Sequence, residues 1–425
     1  MSATVTPAPH SAIPIIVMRH AEESALLCNQ RNFLVHAAHV KLKHLRRIDD
    51  RLAAHLDGLA VAGDVGWAMC EAALANAGIG ELFSATSRAI EDKNPARIGK
   101  LLALAEAMPA TQPGLTFAFG WASAQHLQST VRNLLTSDVA FHRCVGIATC
   151  GMHQVDPGAA LYASLDSRDA LLRARALRVA GECARLDLED ACVKALGDAD
   201  SECRYWAARS TALLGERTRT TAALKGEALR AGLFQARALR TGIRLVELPQ
   251  AHEWLKALAK EPANVRLLVE GAGISGDSYY IPWLIKQMAD KKLTRLAGEA
   301  FSTITGVDLA WQDLECAPPE GGGAGPNGDP DDDHIAMDED DGLPWPDPVK
   351  VKVWWDANQH NFQPGARYFM GQPPTVEHCK KILREGYQRQ RIAAAEYLCL
   401  LQSGTKLFPT SAPAWRQERW LKQMG

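Results

Sequence analysis

The pentapeptide Ala-Arg-Ala-Leu-Arg occurs twice, at Ala174–Arg178 and at Ala236–Arg240, 62 positions apart. That separation is twice 31, and Tyr205-Trp206-Ala207-Ala208-Arg209 lies halfway, with Ala207 and Arg209 in register with Ala176 and Arg178. Phe141-His142-Arg143 continues the register faintly one step back, opposite Leu172-Arg173-Ala174. A fixed period near 31 residues marks a repeat architecture. It constrains the chain more than any other feature, because so short a unit cannot bury its apolar face alone and must stack on its neighbours.

Each period holds two helical stretches. LEDACVKALGDAD (188–200) sets Ala191 and Leu196 on one face and ends near Gly197. SECRYWAARSTALLG (201–215) carries Cys203, Ala207, Ala208, Thr211 and Leu214 at helical spacing and ends at Gly215. The aspartate before the second stretch supplies an N-cap. Asp-x-x-x-Arg recurs in phase, as Asp169/Arg173 and Asp200/Arg204, and here the sequence resembles the HEAT family of α-solenoids. That resemblance implies that Asp and Arg bond between successive repeats. A third copy has Ala231 and Gln235 instead, so the ladder is expected to stop there.

Weaker units continue at 264–276 and 279–306, and 114–165 supplies earlier ones. Helices at 42–59, 65–77, 79–91 and 95–107 form an N-terminal region. No two-residue alternation is sustained anywhere. The expected fold is all-α: a HEAT-like α-solenoid of stacked helix pairs (111–315, period about 31), preceded by a helical N-terminal region (1–110). Residues 308–349 hold thirteen acidic residues and no Lys or Arg, around a Gly/Pro cluster, so 316–344 reads as an acidic flexible linker. Asp329, Asp331 and Asp333 have calcium-loop spacing, but His334 stands where the loop needs glycine. The segment 345–425 holds five of the eleven tryptophans around a helix at 375–401.

The balance of 47 basic against 49 acidic residues argues against a protein that coats nucleic acid or an anionic membrane. Ten cysteines form no CxxC pair and read as buried thiols of a reducing compartment. The early apolar run IPIIVM (13–18) is too short for a leader or a span, so a cytoplasmic protein is expected.

Catalytic signals are weak. Pro14–Glu22, with Arg19 and His20, resembles the opening of histidine phosphatases, but none of the thirteen histidines precedes glycine and no sheet follows. His36, His39, His44 and His55 lack a carboxylate partner at ligand spacing and read as partly exposed helical residues. Gly271–Gly276 superficially resembles a dinucleotide-binding loop but follows a helix. No catalytic residue, cofactor or metal is therefore assigned.

Charge pattern remains. Residues 168–244 hold fifteen Lys/Arg against ten Asp/Glu, and arginines recur on the second helices, which usually line the concave surface in HEAT solenoids. Arg175, Arg178, Arg209, Arg237, Arg240 and Arg244, with Trp206, are thus candidates for binding an acidic partner, the chain's own linker included. Solvated and ladder arginines are the competing reading. Trp354, Trp355, Trp415 and Trp420 are C-terminal partner-binding candidates, against a reading in which they build a small core.

The whole chain resembles a bacterial family of HEAT-repeat proteins encoded among type VI secretion genes. The likeness is carried by DDRLAAHLDGLAVAG (49–63), RLAGEAFSTITG (295–306), LPWPDP (343–348) with Trp354-Trp355, REGYQRQR (384–391) and APAWRQERWL (412–421). It implies a cytoplasmic adaptor or chaperone that loads an effector onto the spike. The expected function is a non-enzymatic protein-binding scaffold whose partner is an effector or spike-associated protein. The alternative is a HEAT-like nucleic-acid-binding protein or DNA glycosylase using Trp206, Arg209 and Asp200; a secreted toxin would need a catalytic module that the sequence does not display.

Overall fold

The computed structural model describes residues 12–319 and 339–424. Among these the chain is all α, with 22 α-helices, short 3-10 turns, isolated β-bridges and no strand. It forms two compact units. Unit 1 takes the described residues of Met1–Val35, Lys43–Pro157 and Ser411–Gly425; unit 2 takes His36–Leu42 and Gly158–Thr410. The grouping differs from the sequence boundaries at 110, 315 and 344, and the segment 345–425 is shared between the units, parting after Thr410. Most of the acidic linker, with Asp329, Asp331, Asp333 and His334, lies outside the described residues.

Unit 1 opens with α1 (Pro14–Leu34), α2 (Leu42–Val61), α3 (Asp64–Ala73), α4 (Ile79–Glu91), α5 (Pro95–Ala107), α6 (Gln112–Trp121), α7 (Ala124–Leu135) and α8 (Ala140–Met152). The helices expected at 42–59, 65–77, 79–91 and 95–107 are thus present as α2 to α5. Asn94 starts α5 by accepting the Arg97 N–H at 3.1 Å, and Pro95 follows it. Helix α4 is the hub. It is buried from Leu82 to Ile90 and packs on α1, α3, α5 and α6, since Leu82, Phe83 and Ile90 alternate with small residues that admit helices from several sides. Gly80 is one such point, where a Cβ would collide with the Ala25 carbonyl oxygen. No single helix among the described residues is long and apolar enough to cross a membrane; one pair reaches that length only across a 118° bend between α2 and Asp64–Asn76.

Unit 2 continues with α9 (Ala159–Leu165), α10 (Ala170–Glu182), α11 (Glu189–Lys194), α12 (Ser201–Leu214), α13 (Thr218–Ala228), α14 (Gln235–Leu245), α15 (Leu248–Leu258), α16 (Val265–Ser275), α17 (Ile281–Gln287) and α18 (Thr294–Thr305). Each odd helix packs on the even helix that follows it, and α10, α12, α14, α16 and α18 pack in succession. Ala176, Ala207 and Ala238, 31 residues apart, are each 0 % exposed, so the repeated alanines mark the faces on which successive helices pack. Gly181 does the same, since a Cβ there would lie 2.7 Å from the Ser210 Cα.

The expected ladder is corrected in one partner. Asp169 and Asp200 cap their own helices, accepting from Leu172 N–H and Cys203 N–H at 2.9 Å each. The bridge between repeats runs from Arg173 to Asp198, with two bonds of 2.9 Å, and one period later from Arg204 to Glu227 at 3.4 Å. A turn recurs beneath it. Ser137, Ser167 and Asp198 accept the N–H two residues on, while Arg143, Arg173 and Arg204 donate to the carbonyl six residues back. The faint sequence register at Arg143 is therefore a real structural repeat, displaced by one residue. Helix α14 has no side-chain cap, in keeping with Ala231 standing where the other copies have their capping aspartate.

The chain then adds α19 (Pro348–Asn358), α20 (Val376–Glu385) and α21 (Gln388–Leu401) to unit 2. The single helix expected over 375–401 is two, because Gly386 and Tyr387 are extended and Gln390 restarts the helix by accepting the Tyr387 N–H at 3.0 Å. Either side of the acidic segment, Cys316 N–H donates to Trp345 O and Asp347 N–H to Leu314 O, both at 2.8 Å. Val351, Trp355, Phe362 and Tyr368 share a core with Phe301 and Ile304 of α18. Arg367 caps α14 by donating to the carbonyls of Ile243 and Arg244, each at 2.9 Å.

The last helix, α22 (Ala414–Gln423), belongs to unit 1. Arg416, 7 % exposed, donates to the carbonyls of Gly120, Trp121 and Ala122 at the end of α6, where the helix dipole favours a cation. Nearby, His153 Nε2 lies 2.9 Å from Phe119 O, a geometry that requires the ring N–H to donate. Burial pushes its pKa from 6.5 down to about 4, Arg416 adds to the shift, and the carbonyl bond opposes it. A depressed histidine means that the unfolded chain binds the proton first, so stability falls as pH drops from about 6.5 towards about 4. Discounting partial exposure, that loss is expected to be about 1–2 kcal/mol. Urea unfolding at pH 7 and pH 4.5 should show it, and His153→Gln, which keeps an N–H donor, should flatten the dependence.

Candidate functional site

The arginines singled out from the sequence lie in unit 2, on α10, α12 and α14. Arg178 Nε holds Glu182 at 2.8 Å, and its guanidinium lies over the Trp206 ring at 4.7 Å. Arg209 flanks the same ring at 5.6 Å. Its Nη1 lies 3.9 Å from Glu182 and its Nε lies 3.7 Å from Glu396. That Nη1 is buried with no hydrogen-bond partner. Arg244 closes the group, donating to Glu396 at 2.6 Å, while Thr241 Oγ1 donates to the same carboxylate at 2.7 Å.

The electrostatics follow from this interleaving. Burial raises the pKa of Glu396, but Arg244, Arg209 and the hydrogen bonds from Thr241 and Arg244 outweigh it, so the carboxyl titrates below its usual range. Glu182 behaves alike, with Arg178 and Arg209 overcoming burial. Burial works against the charge on Arg209, yet Tyr205, Glu396 and Glu182 hold its pKa above normal. These groups are ionised and locked together.

The outer members differ. Arg240 is paired with Glu270 of α16 and its side chain is 45 % exposed. Arg175 is half-buried, and Arg237 is exposed, with no ion pair among the described residues. Arg389 of α21, absent from the candidates drawn from the sequence, bonds Glu299 at 2.7 Å and the His36 carbonyl at 3.2 Å. The His36 imidazole has its pKa lowered by burial and then by Arg237, Arg389, Arg240 and Arg178. The described end of the acidic segment also finds arginines: Asp340 accepts from Arg266 at 2.8 Å, and Glu339 O accepts from Arg389 at 2.6 Å.

The aromatic candidates are largely enclosed. Trp206 is only 9 % exposed, its indole N–H donates to Glu202 at 3.1 Å, and arginines cover its ring, so it is no free platform. Asp200 caps its own helix, about two and a half helical turns before Arg209. The tryptophan candidates are engaged in packing. Trp355 is 7 % exposed, Trp354 stands edge-on to Phe301 at 5.7 Å, and Trp415 packs on Trp121 at 4.6 Å in unit 1. Trp420 is half-buried on α22. Large apolar exposure occurs instead at Trp311 (88 %) and Leu233 (82 %).

His20, singled out in the run Pro14–Glu22, meets a second histidine. Its Nδ1 lies 3.1 Å from the Nδ1 of His55, and both rings stand on helices, α1 and α2. Burial, then the neighbouring His20, lowers the pKa of His55. No group of three His, Cys, Asp or Glu side chains is placed to hold a metal among the described residues. Nine of the ten free cysteines are buried or half-buried, and burial pushes Cys28, Cys192 and Cys399 up to about 12. No family model, curated protein or solved structure matches the chain.

Proposed function

We propose that the chain is a non-enzymatic protein-binding scaffold of HEAT-like α-solenoid type, working in the cytoplasm. One observation carries this reading: regularly spaced helices, packed in succession, gather six arginines on one face where only part of the charge is neutralised internally. Such a surface attracts an acidic protein partner without needing a reactive centre. The sequence likeness to proteins encoded with type VI secretion genes supports naming that partner as an effector or a spike-associated component, with this chain as its adaptor or chaperone. Co-expression with each protein of the gene cluster, followed by size-exclusion chromatography, is expected to give one stoichiometric complex. Elution of this chain alone against every one of them would remove the reading.

A further inference from the structure

Resting on that scaffold reading, we infer that Arg237, Arg240, Arg389 and His36 form a docking site for an acidic peptide segment carrying a hydrophobic residue beside its carboxylates. The inner part of the arginine face is unavailable, because Glu396 and Glu182 already occupy Arg244, Arg209 and Arg178. The outer part is open. Arg237 is exposed and lacks an ion pair among the described residues, and the side chains of Arg240 and Arg389 remain 45 % and 34 % exposed although each holds a carboxylate. Across the face, the guanidiniums of Arg178, Arg209, Arg240, Arg244 and Arg389 are each paired with one or more of Glu182, Glu270, Glu299 and Glu396, which leaves Arg237 as the one of these six arginines without an ion pair among the described residues. At the open end Arg237, Arg389, Arg240 and Arg178 all act on the His36 imidazole, and Arg389 also holds the His36 carbonyl.

The chemistry favours a peptide over a nucleic acid. A phosphate backbone needs a run of uncompensated cations, and here Glu270 and Glu299 stand between them and repel a polyanion. One side-chain carboxylate fits on Arg237, because a guanidinium donates to it in a bidentate geometry, while a second has to compete with Glu270 for Arg240 or with Glu299 for Arg389. Leu233, 82 % exposed and four residues before Arg237, offers an apolar contact that a peptide side chain uses and a phosphate does not.

The test uses the full chain and a fluorescein-labelled nonapeptide of alternating Asp and Leu, followed by anisotropy in low and moderate salt. Saturable binding is expected, weakened about tenfold or more by Arg237→Glu and by salt, and unchanged by Arg219→Ala, a control at a side chain 64 % exposed on α13. Absence of binding in low salt, or equal binding by Arg237→Glu and the parent, overturns the site while leaving the scaffold reading to the co-expression experiment. A 20-base-pair duplex that displaces the peptide and itself depends on Arg237 overturns it in favour of nucleic acid.

Discussion

Replacing Glu396 by alanine is expected to destabilise unit 2 by about 3–5 kcal/mol, the range for removing one partner of a buried ion pair. The carboxylate is 5 % exposed and links three elements: α21, which carries it, α12 through Arg209, and α14 through Arg244 and Thr241. Alanine leaves two arginines facing each other in a poorly hydrated site, and one of them already has a buried nitrogen without a hydrogen bond. For a unit of this size, roughly 2–4 °C of Tm per kcal/mol translates the loss into a fall of about 10 °C. Glu396→Gln keeps an acceptor for Thr241 and should fall between the two. Differential scanning calorimetry decides: a Glu396→Ala transition within 2 °C of the parent, by the same scaling, would show that α21 is held by its apolar contacts alone.

The helical pairing was legible because it is written locally. Ala176, Ala207 and Ala238 recur at the period, Asp169 and Asp200 announce helix starts, and Gly215 ends α12 in the left-handed conformation. What sequence reading missed depends on residues far apart in the chain. Glu396 lies 152 positions from Arg244, and only its setting, a lone acid in the run AAAEYLCLL, hinted that it needed a buried cation. Arg389 was passed over for the same reason: nothing near it in sequence shows that it meets His36 and Glu299. The tryptophans left two readings open because aromatic density next to proline describes a core and a recognition surface equally well. Trp355 and Trp415 went to the cores of different units, which composition does not encode. The pairing of His20 with His55 needed the α1/α2 register, 35 residues apart, before it became visible.

Asp49→Ala is expected to cost unit 1 a comparable 3–5 kcal/mol, roughly, and to do so by releasing its C-terminal segment. Asp49 is 0 % exposed and Arg31 1 %. The Arg31 Nε bonds Asp49 Oδ1 at 2.5 Å, and its two other nitrogens donate to Ser411 O at 3.1 Å and Ala412 O at 3.0 Å. Asp49 Oδ2 in turn accepts the Ala414 N–H at 2.6 Å, which anchors the first residue of α22. One carboxylate thus orients the arginine and caps the helix, so alanine strands a buried guanidinium and a buried N–H together. The segment then loses its hold on α6, where Arg416 and Trp415 are seated. Trypsin should cut the variant at Arg416 and Arg419 under conditions in which the parent resists, and Asp49→Asn, which keeps an acceptor for Ala414 but not the charge, should cut at an intermediate rate. If Asp49→Ala lowers Tm while the tail stays protected, the ion pair stabilises the packing of α1 against α2, and α22 is held by Arg416 and Trp415 independently.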